Sequence, residues 1–366
     1  MSATVKTDAD TLRASRPALR IGPLSMVLRP RMTIIALALI AALFVLFCLD
    51  IAVGDTHIPL DRVLDVLGGG GTRAQRFIIW ESRMPRALTA LVVGASLGLA
   101  GAITQSILHN PLASPDMLGI TSGASLGAVV VLIGVGNTGL AASVGAPAAA
   151  AFGGLATALI IYALAWGRSA TGESGATGMR LVLIGIGVNA VLVAGISWVL
   201  TRGSLEDATR AQLWVNGSLN AADDSTLIPA ALVLGLSLLV ATISARTLAV
   251  LRLGPESVTV LGVRVQTQQA LLLGTAVLVA SVATAAVGPV GFVALAAPQI
   301  ARMVFRTPGE PLVGSALFGA ILVVGADVAS RTISPVELPV GIVTAAFGGP
   351  FLLYLLVRMN RKATLS

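Results

Sequence analysis

Long apolar runs without a single charged residue divide this chain and constrain its fold more than any other feature. Most of them reach about 20 residues, the length that an α-helix needs to cross the hydrocarbon core of a bilayer. Charged residues make up only 11% of the chain, against about 25% in an average soluble domain. The sequence therefore predicts an all-α polytopic membrane protein and argues against a disordered chain, a disulfide scaffold or a soluble enzyme. The runs are 32–49, 87–108, 117–167, 181–201, 225–245, 265–301, 311–326 and 338–357.

Two of the runs are too long for one helix, and we interpret each as a pair of helices. The run 117–167 contains a glycine-rich break at 134–137 and a second break before Pro147. The run 265–301 is interrupted at Gly288 and Pro289, where proline can end one helix and start the next. Counting these two runs twice predicts ten transmembrane helices.

The distribution of basic residues predicts how these helices are oriented. Ten crossings put both termini on one side, and that side receives sixteen of the 24 Lys and Arg residues. Because cytoplasmic loops carry the excess of Lys and Arg, both termini are predicted to be cytosolic. The chain then divides into a basic cytosolic tail at 1–31, one ten-helix membrane domain at 32–358 and a cytosolic tail at 359–366.

The chain lacks the motif with which a transporter would bind ATP by itself. A phosphate-binding loop needs a lysine directly after a glycine, whereas Val5 precedes Lys6 and Arg361 precedes Lys362. No catalytic residue is predicted, and the chain is not expected to be an enzyme. If ATP drives it, another chain must bind the ATP.

No metal site, cofactor or nucleic-acid partner is predicted either. His57 and His109 are far apart in the sequence, and Cys48 is the only cysteine, so no set of ligands has the spacing that a metal site requires. The basic residues lie between apolar runs, which fits membrane topology and a lipid environment better than binding to nucleic acid.

Glycines recur at four-residue spacing in two of the predicted helices. Gly94 and Gly98 form one such series, and Gly119, Gly123 and Gly127 form another. Small residues at this spacing let helix backbones approach closely in lipid. The spacing predicts helix packing and says nothing about substrate binding.

Asp327 is the closest candidate for the intramembrane carboxylate that a gradient-driven transporter would use. It lies at the predicted external end of the ninth helix, and Arg331 follows one helical turn later. We interpret the two as an ion pair at the external rim. A gradient-driven secondary transporter is kept as an alternative from a different functional class, and a purely structural scaffold as a third.

Two arginines precede the second apolar run. Arg83 and Arg86 are three residues apart, with Pro85 between them, so they share one face of a helix whose first turn suits the proline. On the predicted external side they could anchor the helix end at the interface or form bidentate contacts with carboxylates. Residue chemistry alone leaves both interpretations open.

A short internal helix is predicted within the segment at about 249–266. Gly254 and Pro255 suit the start of a helix, Glu256 suits its positive N-terminal dipole, and Gly262 suits its end. Such a helix is too short to span a membrane. It is interpreted either as a docking element or as an ordinary amphipathic loop helix.

Irregular backbone is predicted at the ends of two helix pairs. Asn110 and Pro111 begin one such segment, and Gly288 and Pro289 begin the other. Because irregular backbone at membrane depth needs protein or water around it, these segments are candidates for a pathway or hinge, with a simple chain reversal as the alternative. Gln105 and Asn189 lie in apolar helices and are further pathway candidates, although an interhelical hydrogen bond accounts for each more simply.

Taken in order, these motifs resemble the FecCD-type permease family, the membrane subunits of ABC importers for iron–siderophore, haem and cobalamin. The resemblance covers about residues 32–358. It is carried by Arg83-x-Pro-Arg86, the stretch Asn110 to Ala124, Trp214-x-x-Gly217, the segment Leu253 to Val263, Gly288-Pro289-x-Gly291, Ala326-Asp327-x-x-x-Arg331 and Glu337-Leu338-Pro339.

The resemblance implies a type II ABC importer permease fold and a set of partners. These are a second permease subunit (a homodimer or a paralogue), a pair of ABC ATPase subunits on the cytosolic face and an extracytoplasmic substrate-binding protein, all at a bacterial cell (inner, cytoplasmic) membrane. Contacts with carboxylates of the binding protein are implied for Arg83, Arg86 and Arg331. The coupling helix in the ATPase groove would contain Leu253, Gly254, Pro255, Glu256, Leu261 and Gly262.

The resemblance also implies a substrate, for which a ferric siderophore is our first hypothesis and cobalamin or haem the alternatives. The family usually has histidine at the position of Gln299, and glutamine can hydrogen-bond but cannot titrate near neutral pH. A protonation role is therefore not expected at this position, which stays a pathway or hinge candidate. Ala294 stands where the family usually has a second glycine, which limits close backbone approach slightly.

Overall fold

Helices form nearly all of the part of the chain that the structure describes. The computed structural model describes residues 18–21, 24–27, 30–54, 56, 58–134, 140–168, 174–176, 178–251 and 265–363. The elements of the first half are β1 (Ala18–Ile21), β2 (Leu24–Val27), α1 (Pro30–Ala52), α2 (Leu60–Leu67), α3 (Arg73–Phe77), α4 (Met84–Leu108), α5 (Ile120–Val129) and α6 (Leu140–Ala165).

The second half continues in the same way. Its elements are β3 (Trp166–Arg168), β4 (Ser174–Ala176), α7 (Gly178–Leu200), α8 (Leu205–Val215), α9 (Asp224–Ile243), α10 (Ala245–Leu251), α11 (Val265–Val287), α12 (Val293–Phe305), α13 (Leu312–Thr332) and α14 (Val340–Ala363). The strands form two short antiparallel hairpins, with Ala18 opposite Val27 in one and Trp166 opposite Ala176 in the other.

Eight helices in the described residues are long and apolar enough to cross a membrane. They are Pro30–Ala52, Arg73–Leu108, Gly145–Ala165, Arg180–Leu200, Asp224–Ile243, Val265–Val287, Leu312–Thr332 and Val340–Arg358. Two shorter apolar helices, Ile120–Ile133 and Val293–Phe305, correspond to the remaining segments of the two long runs. The all-α polytopic membrane fold is confirmed, while ten crossings and cytosolic termini stay predictions.

Two of the three predicted breaks in the long apolar runs, before Pro147 and at Gly288, are present. Gly145 lies two residues before Pro147 with φ 73° and ψ 160°, which interrupts α6. Gly288 has φ +77° directly after the end of α11, a conformation that glycine adopts without the steric cost of a side chain. A π-helical turn at Val130–Gly134 continues α5 up to the predicted break at 134–137. Residues 135–139 lie outside the described residues.

The second crossing begins earlier than the sequence indicates. The prediction places Pro85 in the first turn of this helix, whereas the helical segment starts at Arg73 and runs without interruption to Leu108. A wide π-type turn at Ile78–Arg83 lies directly before the proline, and the N–H of Met84 bonds to the carbonyl of Ile79. Proline lacks the N–H that a helix interior needs, and a turn of this kind accommodates it.

Helix α4 lies at the centre of the fold, where it packs against α13, α11 and α12. Its closest neighbour is α13, because Gly94 and Gly98 face Gly319 and Ser315. A Cβ at Gly98 would collide with the carbonyl of Ser315, and one at Gly94 with that of Gly319. Close packing was predicted from the glycine spacing and is confirmed at these two positions.

A proline allows a second close approach, between α4 and α12. Pro298 cannot donate the hydrogen bond that the carbonyl of Ala294 would otherwise accept in a helix. Gly101 packs directly against this carbonyl, and a Cβ at Gly101 would collide with it. The close backbone approach here thus depends on Gly101 and is not prevented by the side chain of Ala294.

The start of α9 is fixed by a capping carboxylate outside the candidate span. Asp223 accepts a hydrogen bond of 3.1 Å from the N–H of Thr226, which satisfies one of the free donors at a helix start. The hydroxyl of Ser225 donates a hydrogen bond of 2.6 Å to the same carboxyl and lowers its pKa below the usual value. This cap holds the turn that carries Asn220.

Candidate functional site

An ion-pair network lies buried where α1 ends, α4 begins and α13 ends. We call this the network end of the molecule, and the opposite end, where α4 and α12 finish, the basic end. Arg86 forms two hydrogen bonds with Asp327, of 2.7 and 3.0 Å, and Arg331 contacts Asp327 at 2.8 Å. The network consists of Asp50, Arg86, Asp327, Arg331 and Glu337.

Arg331 ties the end of α1 to α13. Its guanidinium forms an ion pair with the carboxylate of Asp50 and donates to the backbone carbonyls of Asp50 and Val53 at 3.0 and 2.7 Å. The last carbonyls of a helix have no partner within the helix, so the arginine satisfies them. The predicted ion pair of Asp327 with Arg331 is confirmed as part of this larger arrangement.

Arg83 occupies a neighbouring position with a different set of partners. Its guanidinium donates to the carbonyls of Ile51 and Thr56 at 2.7 and 2.5 Å and to that of Ala52 at 3.1 Å. The residue is buried, with 9% of its surface exposed. Arg83 therefore closes the C-terminus of α1, which neither of the two sequence-based interpretations anticipated.

Among the described residues, Arg86 and Glu337 form the most exposed edge of the network, and the side chain of Arg331 is 10% exposed. The side chains of Asp50 and Asp327 are at most 1% exposed, whereas those of Arg86 and Glu337 are 16% and 36% exposed. Arg86 and Glu337 contact each other at 2.5 Å, and Asn220 bridges them, accepting from Arg86 at 2.8 Å and donating to Glu337 at 3.0 Å. An external partner would meet the network at this edge.

Two glutamines form a buried pair between α4 and α12. Gln299 donates a hydrogen bond of 2.6 Å to the side-chain oxygen of Gln105. The side-chain nitrogen of Gln105 in turn donates a hydrogen bond of 3.1 Å to the carbonyl of Leu295. Asn189 on α7 likewise bonds to Ser122 on α5. The interhelical hydrogen bonds predicted for Gln105 and Asn189 are confirmed, and a role of these residues in a pathway stays a prediction.

The two proline- and glycine-rich segments lie at opposite ends of the molecule. Asn110 caps its own turn at the basic end, where its side chain accepts from the N–H of Leu112 at 3.0 Å. Gly288 packs at the network end against the backbone of Trp214 and Gly217. A role of either segment in a pathway or hinge stays a prediction.

A cavity of about 370 Å³ opens at the basic end. We call it the basic cavity because three arginines contribute to its wall, and Gln299 connects it to the glutamine pair. Its lining residues are Pro111, Gln299, Arg302, Met303, Arg306, Thr307, Leu355 and Arg358.

The predicted coupling residues lie outside the described residues. These are Leu253, Gly254, Pro255, Glu256, Leu261 and Gly262, within the gap at 252–264. The structure describes the residues on either side of this segment, and α10 ends at Leu251. The backbone carbonyl of Leu251 lies 3.0 Å from Nε2 of His109, the residue that follows α4. The segment therefore begins beside the Asn110–Pro111 turn.

No cluster of three or more potential metal ligands occurs in the described ranges. The site residues that the structure describes lie at the network end, around the glutamine pair and the basic cavity and, for Asn189, between α7 and α5. The predicted coupling residues fall in the gap at 252–264. Sequence reasoning missed Asp50, Glu337 and Asn220 as network members. Asp50 at the end of an apolar run and Glu337 in the Glu337-Leu338-Pro339 motif were the visible signals for two of them.

Comparison with known proteins points to one family. The model of the FecCD transport family matches residues 42–358. The ferric enterobactin transport system permease protein FepG of Escherichia coli (strain K12) is 38% identical over 335 residues, covering 91% of this chain and 98% of the relative. The hemin transport system permease protein HmuU of Yersinia pestis is 38% identical over 291 residues, covering 78% and 84%.

A solved structure supports the fold independently. An inward-facing conformation of a metal-chelate type ABC transporter has a TM-score of 0.74 and 23% sequence identity, covering 89% of this chain and 99% of that chain. At this identity the likeness concerns the fold alone. The fold of an ABC importer permease is thereby confirmed.

Proposed function

The chain belongs to the FecCD transport family, and from this premise we propose that it is the membrane permease subunit of an ATP-driven ABC importer for a ferric siderophore. The choice of substrate rests on one observation: the chain is 38% identical, over nearly its full length, to a ferric enterobactin permease. Haem is the second candidate, because the hemin permease is equally identical over a shorter stretch. Cobalamin stays a further alternative within the family.

In this proposal the chain works with three partners at a bacterial cytoplasmic membrane. A second permease subunit completes the pathway, paired ABC ATPases bind the cytosolic face, and a binding protein delivers the ferric complex to the network end. The basic end would then face the cytosol, which agrees with the excess of Lys and Arg on that side. The chain itself would contribute no catalytic residue.

The first test is to identify the partners and the energy source together. The tagged chain is purified from its host in a gentle detergent, and co-purifying chains are identified by mass; we expect an ABC ATPase. Uptake of labelled ferric siderophore and of haem is then compared in vesicles containing the complex. Uptake that needs ATP inside and survives a protonophore supports the proposal. Uptake that collapses with the proton gradient supports the gradient-driven alternative instead.

We propose that Arg86 is the docking arginine nearest the surface and that Glu337 competes with the binding protein for it. Glu337→Gln removes this competing carboxylate, so we expect tighter docking, by up to about tenfold for a gain near 1.4 kcal/mol. Affinity is measured at low salt between the solubilised complex and the immobilised binding protein. The matched control is Glu206→Gln, which changes an exposed pair with Arg210. Unchanged affinity for Glu337→Gln would contradict the competition.

The coupling segment yields a separate prediction. Glu256→Arg places a positive charge where the proposed coupling helix begins and opposes its dipole, so we expect ATP-driven uptake to fall strongly while the amount of folded permease stays the same. Uptake and ATPase binding are measured in the same preparation. Glu206→Arg, on the exposed α8, is the control. Normal uptake with Glu256→Arg would count against this segment as the coupling element.

A further inference from the structure

From the basic cavity and the apolar surface beside it we infer a binding site for the phosphate group of an anionic phospholipid. The inference concerns the lipid and does not depend on which substrate is transported. It requires only that the chain lies in a membrane, which its apolar helices support.

In the described part of the chain, two of the three arginines at the cavity wall have no carboxylate partner. Arg302 forms an ion pair of 3.3 Å with Glu310, whose other oxygen accepts a hydrogen bond of 3.0 Å from Ser106. Across the described ranges, no carboxylate lies within ion-pair distance of Arg306 or Arg358. Two guanidinium groups at the wall of one cavity attract an anion, and the planar guanidinium matches the oxygens of a phosphate.

The surface next to the cavity favours a lipid over a soluble anion. Leu353 and Val357, on the last turns of α14 before Arg358, are 65% and 54% exposed, and Val304 on α12 is also exposed. Val357 directly precedes Arg358 in the chain, and Val304 lies two residues before Arg306. A phospholipid likewise has an apolar part and a charged part, so its acyl chains would lie beside the apolar side chains and its phosphate beside the arginines. Basic pockets between membrane helices bind such head groups.

The geometry also explains why the lipid should be anionic. A zwitterionic head group brings its own cation, whereas a phosphatidylglycerol head group carries a net negative charge that Arg306 and Arg358 can balance. Each arginine near an anionic surface contributes about fivefold to binding. Removing both should therefore weaken binding by roughly 25-fold.

Native mass spectrometry of the full chain tests the site. The chain is titrated with phosphatidylglycerol or with phosphatidylcholine of the same acyl chains, and the bound fraction is measured for each. We expect wild type to retain phosphatidylglycerol preferentially and Arg306→Gln/Arg358→Gln to lose this preference. Arg306→Lys/Arg358→Lys should keep most of it. The matched control Arg202→Gln/Arg210→Gln changes two exposed arginines elsewhere and should bind like wild type.

Three results would overturn the inference. Equal retention of both lipids by wild type would remove the anion preference, and an unchanged preference in Arg306→Gln/Arg358→Gln would place the lipid elsewhere. Inorganic phosphate that displaces phosphatidylglycerol at equal concentration would assign the cavity to a soluble anion. A melting curve of each variant shows whether it is folded. If Arg306→Gln/Arg358→Gln is not folded, Arg306→Lys/Arg358→Lys tests whether positive charge is enough to bind phosphatidylglycerol.

Discussion

Asp327→Ala is expected to lower the free energy of unfolding by about 3–5 kcal/mol, the cost of leaving a buried charge without its partner. Asp327 is fully buried and contacts both Arg86 and Arg331. Its removal therefore takes away the carboxylate that pairs with both guanidinium groups at the junction of α1, α4 and α13. Asp327→Asn keeps the shape and removes the charge, so it should be nearly as destabilising if the charge is what matters.

Cys48 provides the measurement, because it is the only cysteine of the chain and is buried two residues before Asp50. The rate at which a thiol-reactive dye labels it on heating reports opening of this end of α1. Glu206→Ala is the control, since it removes an exposed pair worth about 0.5 kcal/mol. Equal labelling curves for Asp327→Ala and Glu206→Ala would show that the network contributes nothing to stability.

Gly319→Leu is expected to have the second large effect. A Cβ at this position would collide with the backbone carbonyl of Gly94, which cannot move without separating α13 from α4. Overpacking of a well-packed core costs about 1–3 kcal/mol. We expect at least this loss, because backbone and not a flexible side chain must shift. The readouts are the yield of monodisperse protein and its melting temperature.

Gly325→Leu is the matched control for this prediction. It makes the same change in the same helix, where a new Cβ would have no atom within 4 Å. Gly325 borders an apolar cavity of about 400 Å³ that can take the added side chain. We expect yield and melting temperature close to those of wild type. If both variants behave alike, the close crossing of α4 and α13 does not limit stability.

The helices of this protein could be predicted because a membrane-spanning helix depends on a local property, the length of a charge-free run. The breaks at Gly145 and Gly288 were likewise predicted from local residue types. The close approach at Gly94 and Gly98 was predicted as well, but its partner was not, because spacing identifies a packing surface without saying which helix packs against it. The extension of the second crossing back to Arg73 was missed because its turns are amphipathic and contain charges.

The candidate site could be predicted only in part. Arg86, Arg331 and Glu337 were visible as motif residues, yet Asp50 and Glu337 are 36 and 251 residues from Arg86 along the chain. Only the tertiary packing of α1, α4 and α13 brings these residues together. Arg83 shows the same limit, since its hydrogen bonds go to backbone carbonyls, which leave no trace in the side-chain sequence.

The contact between His109 and Leu251 has a mechanical consequence. A hydrogen bond of 3.0 Å tolerates only a small displacement before it breaks. The end of α10 can therefore travel far only if it drags the end of α4 or releases His109. As long as this bond holds, a displacement of the end of α10 also displaces His109, two residues before Pro111 in the wall of the basic cavity. The path does not run along the length of any long helix.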